Sequence, residues 1–342
     1  MASEILVDLY SDTQTRPSAA MREAMAAAEV GDEQQRGDPT VTALCREVAE
    51  RLGHEAAVFL PTGTMCNLIG VATHVAPGDA VIMEHLGHVL RSETGGIGVV
   101  SGAVVDTVRG ERGVFTAAEL APALEPGNAY RPPPTLVCLE QTHNLGGGTV
   151  WPLDTYTEVV ELAHDHGLRV HLDGARLFNA VVASDVAADR WAGQVDSAWI
   201  DFTKGLGAPL GAVLAGPTDY IERAWRWKHR LGGAMRQAGI AAAACRYALA
   251  NNVARLADDH LRAQALAVGF EELGLAVEPV ESNMVWAAPA SVGLSAEAFA
   301  KGLRSAGVRI SMVGDRVRAV THLDVDDDGI ARAIGVAKEV IG

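Results

Sequence analysis

Short apolar runs that stop at a polar or glycine residue recur through the first two-thirds of the chain. They are EAAVFL at 55–60, DAVIMEH at 79–85, TLVCLEQTHN at 135–144, LRVHLDGARL at 168–177 and SAWIDFTKG at 197–205. Runs this short, apolar on both sides of the pleat, predict buried strands rather than helices. Between them lie segments with apolar residues at helical spacing. DPTVTALCREVAERLG at 38–53 opens on aspartate and proline and closes on glycine, the start and stop signals of a helix. LDTYTEVVELAHDHG at 153–167 is a second such segment, and PTGTMCNLIGVATHVAPG at 61–78 reads as a turn and a helix closed by Pro-Gly. Strands alternating with helices predict βαβ units, hence an α/β fold with a mainly parallel sheet.

The pattern changes from about residue 215 onward, where helical spacing dominates, and one long helix near 236–263 is expected to act as a connector. The remainder, roughly 265–342, mixes short strands (NMVWAAPA, GVRISMV, RVRAVTHL) with helices (SAEAFAKGLRSAG, DDDGIARAIGVAKEVIG). The expected organisation is an N-terminal arm over 1–30, a large domain over 31–250 and a small C-terminal α+β domain over 251–342.

At 342 residues with 49% apolar content, the chain can bury substantial cores. A net charge of −15 argues against binding nucleic-acid phosphates. No run of apolar residues is long enough to span a membrane, and the N-terminal stretch lacks the basic and apolar regions of a signal peptide. Cys45, Cys66, Cys138 and Cys245 sit in apolar contexts with no CxxC pair, which predicts reduced core cysteines, a cytoplasmic location and no metal site built from them.

Ligands of parallel sheets bind outside the carboxyl ends of the strands. The polar residues that end the apolar runs should therefore converge: Thr62-Gly63-Thr64, His88, Glu140 to Asn144, Asp173 with Arg176, and Lys204. Gly63 between two threonines at a strand-to-helix turn suits either a phosphate or an ordinary helix cap. Asp173 ends a buried strand, where a carboxylate needs a positive partner. Arg176 in a structural ion pair is one reading, and a protonated heteroaromatic nitrogen is the other. Lys204 is one of only four lysines among 28 basic residues. Its amine either reaches water along an apolar stem or serves as a nucleophile. A phosphate cradle, a buried acid and a lysine together are the set pyridoxal phosphate needs.

The motifs SDTQTRPSAAM, GDPTVTAL, EAAVFLPTGTMCN, EQTHN, HLDGARLFNAVVAS, TKGLGAPLGAVLAG, GGAMRQAGI and VTHLDV resemble, in order, those of the low-specificity threonine aldolases, a family of the aspartate-aminotransferase-like pyridoxal-phosphate fold (fold type I). The resemblance runs nearly the full length. It implies that pyridoxal 5'-phosphate is the cofactor and a β-hydroxy amino acid the substrate, cleaved to glycine and an aldehyde. It also implies a homo-oligomer, a dimer of dimers with shared active sites. Carried over by position, Lys204 would bond the cofactor covalently, Asp173 would hold the ring nitrogen and His88 would stack on the ring. Thr62, Gly63, Thr64 and Thr203 would surround the cofactor, with His229 and Arg236 supplying charge to the phosphate. Arg176 would serve cofactor and substrate, and Ser11, Arg176 and Arg318 would hold the substrate carboxylate.

Three positions depart from the family pattern. Gln35 stands where a tyrosine is typical, His229 where a lysine is typical, and Tyr130 where a histidine often lies near the substrate hydroxyl. Tyr130 is expected either to orient that hydroxyl or to be a packed loop residue, with His88, His143 or a water as proton acceptor. Two other activities stay open: a pyridoxal-phosphate β-eliminating lyase or dehydratase, and a cofactor carrier without catalysis.

Overall fold

The computed structural model describes residues 4–342, so the first three residues of the expected arm lie outside the described residues. Seven strands form the main sheet: β1 (Ala56–Leu60), β2 (Ala80–Glu84), β3 (Val104–Val108), β4 (Pro134–Glu140), β5 (Arg169–Gly174), β6 (Ser197–Asp201) and β7 (Ala212–Gly216). Their order is β1-β7-β6-β5-β4-β2-β3. Only β7 is antiparallel to its neighbours; the others pair in parallel. Every residue of β2, β6 and β7 is buried, as a sheet covered on both faces requires.

The helices begin and end where the chain signals them. In α1 (Pro39–Leu52), Asp38 accepts from the Val41 amide at 3.0 Å and Gly53 takes the left-handed conformation at φ 71°. In α2 (Gly63–His74), Thr62 accepts from the Met65 amide at 3.2 Å. A four-residue turn, α3 (His88–Arg91), follows β2, and α4 (Leu153–Asp165) follows β4. Together with α5 (Thr218–Arg230) they cover the sheet.

The expected single connector over 236–263 is instead two helices, α6 (Gly239–Asn251) and α7 (Leu256–Glu272). The break does positional work: Asn252 Nδ2 donates to the Leu206 carbonyl at 2.7 Å and Arg255 Nη1 to the Gly205 carbonyl at 3.5 Å. Both carbonyls belong to the loop that carries Lys204.

The C-terminal region builds a four-stranded antiparallel sheet from β8 (Ala276–Val277), β9 (Met284–Ala288), β10 (Ser311–Val313) and β11 (Arg316–Val320). Its core gathers Leu266, Phe270, Phe299, Leu303 and Val317 with Val7 and Leu9 from the start of the chain. Val7–Asp8 pairs in parallel with Val308–Arg309. The N-terminal segment is thereby held against the C-terminal core, and residues 11–15 are drawn over the main sheet toward Lys204: Thr15 Oγ1 donates to the Lys204 carbonyl at 2.8 Å. Among the described residues no helix is long and apolar enough to cross a membrane. All four cysteines are free, and Cys66, Cys138 and Cys245 are buried.

Candidate active site

The carboxyl ends of β1, β2, β4, β5 and β6 meet at one edge of the main sheet. A cleft of about 460 Å³ opens there, lined among others by Thr62, Gly63, Thr64, His88, Thr203 and Lys204. Gly63 is required by a close approach. A Cβ on it would lie 2.4 Å from the Trp199 ring, so glycine lets the start of α2 settle against β6. First-turn amides of a helix have no partner within it and attract anions. Thr62 Oγ1 caps the Met65 amide, and those of Gly63 and Thr64 remain available.

Lys204 follows β6, with its side chain 15% exposed and its Nζ 2.6 Å from Asp201 Oδ2. Asp201 Oδ1 accepts from the amide and hydroxyl of Thr203 at 3.0 and 2.9 Å. The lysine is held at the cleft wall by a carboxylate, with its Nζ 5.8 Å from the Trp199 ring centroid.

Asp173 lies just behind that wall. It pairs with Glu140 in the β4–β5 register and is 1% exposed. It does not pair with Arg176. Its Oδ2 accepts from Asn67 Nδ2 at 2.8 Å and its Oδ1 from the Ala175 amide at 3.0 Å. Burial pushes its carboxyl up to about 6, reinforced by the Glu140 and Glu93 charges and opposed by His88. Such an acid takes a positive partner readily. Asn67 Nδ2 also donates to Glu93 Oε1 at 2.7 Å, and its Oδ1 accepts from Trp199 Nε1 at 2.7 Å. Glu93 Oε1 lies 2.9 Å from His88 Nδ1. Burial alone would lower the His88 pKa, but the Glu93 hydrogen bond and the Asp173 and Glu140 charges raise it.

Arg176 finds its acid far away in sequence. Its Nε and Nη2 donate to Asp12 at 2.7 and 2.6 Å, which replaces the Asp173 pairing that spacing suggested. Asp12 is itself fully buried, and Asn283 Nδ2 donates to it at 3.2 Å. Ser11 is also buried; its Oγ accepts from the Thr13 amide at 3.2 Å and from Thr13 Oγ1 at 2.9 Å. Arg318 Nη1 donates to Asn144 Oδ1 at 2.8 Å and its Nε to Ser311 Oγ at 3.2 Å. Among the described residues no carboxylate pairs with it. Burial and the nearby Arg176 charge lower its pKa. A buried guanidinium with no carboxylate partner among the described residues is able to take one.

Four expected residues lie elsewhere. Tyr130 is 98% exposed, on the loop entering β4 at the opposite edge of the sheet from Lys204. The structure does not bring it to the cleft of its own chain. His143 is buried behind His88, and its Nδ1 accepts from the Gly146 amide at 3.0 Å. His229 is exposed beside Trp225. Arg236, 60% exposed, pairs with Asp32 at 2.8 Å. Lys228, beside His229, is not a surface charge: its Nζ is buried against Glu33 and donates to the Phe59 carbonyl at 2.6 Å. Asp12, Asn67, Glu93 and Asp201 carry no role in the sequence reading, although Asp12, Asn67 and Asp201 lie in or beside the motifs quoted above.

The donor set fits pyridoxal phosphate. Free helix amides and hydroxyls suit the phosphate, a buried basic carboxylate suits the ring nitrogen, and a primary amine on the cleft wall suits the aldehyde. The fold and cleft therefore define a cofactor-binding α/β protein of the aspartate-aminotransferase-like class. The beta-eliminating lyase family model matches residues 8–290, and the chain belongs to that family. It is 42% identical over 334 residues to a probable low-specificity L-threonine aldolase 2 from Arabidopsis thaliana, covering 94% of this chain and 93% of that protein. Its fold is that of a threonine aldolase from Leishmania major, at TM-score 0.86 and 22% identity over 98% of this chain and 100% of that one. An aspartate aminotransferase variant from Thermus thermophilus superposes at TM-score 0.76 and 17% identity over 99% of this chain and 92% of that one.

Proposed function

We propose that this chain binds pyridoxal 5'-phosphate and cleaves a β-hydroxy-α-amino acid of the threonine or allo-threonine kind to glycine and an aldehyde. The observation that carries the reading is the placement of Lys204 on the cleft wall just after β6, with the buried Asp173 at the end of the neighbouring parallel strand β5. The similarity to threonine aldolases supports the substrate class. When bound, the cofactor supplies an electron sink for the negative charge left at Cα as the Cα–Cβ bond breaks.

The chain's own residues do the rest. Lys204 would bond the cofactor, and the Gly63 and Thr64 amides with the Thr62 and Thr64 hydroxyls would surround its phosphate, with Thr203 fixing Asp201 beside Lys204. Asp173 keeps the ring nitrogen protonated, held in place by Asn67 and the Ala175 amide. His88, fixed through Nδ1 by Glu93, covers the cleft and is the histidine placed to receive the hydroxyl proton; His143 is committed elsewhere. Arg318 and the Arg176 Nη1 take the substrate carboxylate beside Ser11. Fixing that carboxylate selects which bond at Cα is set to break.

Among the described residues Lys204 is the only lysine or arginine lining the cleft, so in this reading a second copy adds charge for the phosphate dianion. The exposed Arg236 and His229 of a second copy supply it in this reading, which makes the working form a homo-oligomer, a dimer of dimers, with shared sites. Reduced cysteines support a cytoplasmic location. The test is the purified protein loaded with cofactor and given threonine, allo-threonine and serine. Glycine and an aldehyde should form, and borohydride should fix the cofactor to Lys204. A keto acid and ammonia in place of glycine would assign β-elimination, and label on Lys228, Lys301 or Lys338 would remove Lys204 from its role.

A further inference from the structure

Glu140 ends β4 with its carboxylate buried, beside Asp173 and outside the roles assigned above. Its two oxygens serve two different segments. Oε2 accepts from the His88 amide at 2.7 Å and Oε1 from the Asn144 amide at 2.8 Å. Gly87 precedes α3 and offers no capping group, and the Glu84 tie to the Leu86 amide at 2.6 Å lies before it, so the His88 amide itself is held by Glu140. The Asn144 segment leads directly to Arg318, whose Nη1 donates to Asn144 Oδ1 at 2.8 Å. One carboxylate thus fixes the main chain under the histidine that lines the cleft and, through Asn144, the Arg318 guanidinium.

The surroundings leave Glu140 no slack. The Trp151 indole donates to the main-chain carbonyl of Glu140 at 3.1 Å. His143 Nε2 lies 3.8 Å from Oε2, while His143 Nδ1 accepts from the Gly146 amide at 3.0 Å and stiffens the turn that carries Asn144. A carboxylate accepts at both oxygens, whereas a glutamine accepts at one and presents donors at the other. An aspartate keeps both acceptors but is one methylene too short to reach two segments.

We infer that Glu140 is a positioning residue that sets His88 and, through Asn144, Arg318 in register, so that the substrate carboxylate meets a preformed clamp. The inference rests on the reading of Arg318 as a carboxylate ligand. Glycine, a product that carries the same carboxylate, reports on the clamp without turnover.

The test is calorimetric binding of glycine to the cofactor-loaded protein for wild type, Glu140→Gln, Glu140→Asp, Asn144→Ala and the Glu140→Gln/Asn144→Ala pair. Both Glu140 variants should weaken glycine binding about tenfold while cofactor affinity stays within about twofold. Asn144→Ala should reproduce the glycine loss, and the double variant should lose no more than the weaker single, because the two act along one path. Amide hydrogen exchange at His88 should quicken in both Glu140 variants and stay as wild type in Asn144→Ala. Wild-type glycine affinity in Glu140→Gln and Glu140→Asp, or additive losses in the double variant, would overturn the inference. Should Glu140→Gln not fold, Glu140→Asp and Asn144→Ala decide the same point. Wild-type protein that neither binds glycine nor releases it from threonine would instead defeat the functional reading, and this inference with it.

Discussion

Replacing Asp12 with asparagine probes the least expected contact of the site. Asp12 and Arg176 are both buried, their side chains 0% and 5% exposed, and two charge-assisted hydrogen bonds at 2.7 and 2.6 Å join them. Burial alone would raise the Asp12 carboxyl, but the Arg176 charge and hydrogen bonds, with Lys204 behind them, hold it well below the usual carboxylate range. Asparagine keeps the volume and one acceptor but removes the charge. Breaking one side of a buried pair costs about 3–5 kcal/mol, most of it the penalty of the abandoned ion. We expect about 3 kcal/mol for Asp12→Asn and the upper end of the range for Asp12→Ala. Two guanidiniums, Arg176 and Arg318, would then share the region with no acid between them. Sulfate should therefore raise the urea midpoint of the variant more than that of the wild type, by occupying the vacated charge. The pH sign follows from the depressed pKa. The stabilisation is complete above the unfolded value near 4 and is lost only as pH falls through the lower folded value. The difference between wild type and variant should be flat from about pH 5 to about pH 8. Tryptophan fluorescence during urea unfolding measures all three quantities. A variant within about 1 kcal/mol of wild type, no extra response to sulfate, or a difference that vanishes by about pH 5 would refute the assignment of Asp12 as the counter-ion of Arg176.

Two further outcomes follow from the placements. Lys228→Met strands Glu33 in the core and should cost about 3–5 kcal/mol, with most of it recovered in Lys228→Met/Glu33→Leu. Cofactor affinity should hardly move, and a large loss of affinity without a loss of stability would make Lys228 a phosphate ligand after all. Tyr130→Phe should leave kcat/KM for threonine and the diastereomer preference unchanged, since the hydroxyl is in water at the far edge of its own chain's sheet. A fall of about tenfold or more would place Tyr130 in the cleft of a neighbouring copy.

The strands and the residues that close them were legible because each carries its own signal. Apolar runs at 55–60, 135–140 and 197–201 mark β1, β4 and β6, and the polar residues that follow must lie at one edge once the strands are parallel. That rule alone brought Thr62, His88, Asp173 and Lys204 together. It failed for the connector over 236–263 because Asn251-Asn252 interrupts apolar spacing without a proline or glycine, and the break is settled by the carbonyls of Gly205 and Leu206. Tyr130 was placed by the family resemblance and not by this rule, and its exposed loop lies at the other end of β4 within its own chain.

Pairings resisted the sequence more than positions did. Arg176 stands three residues after Asp173, and nearness in sequence offers that carboxylate as its partner. A residue two positions past a strand end, however, has turned away from the strand. The acid that reaches it, Asp12, comes from a segment pinned by Val7–Asp8 against Val308–Arg309, nearly the whole chain away. Asp173 meets Asn67 across 106 positions because α2, which carries Asn67, packs on the same sheet. Strand periodicity says which residues arrive at an edge; it does not say which of them touch, because that depends on loops whose course is fixed by the second core. The site's chemistry therefore depends on the C-terminal region in a way that no single motif records: Arg318, Asn283 and the anchored Asp12 all reach it through that region.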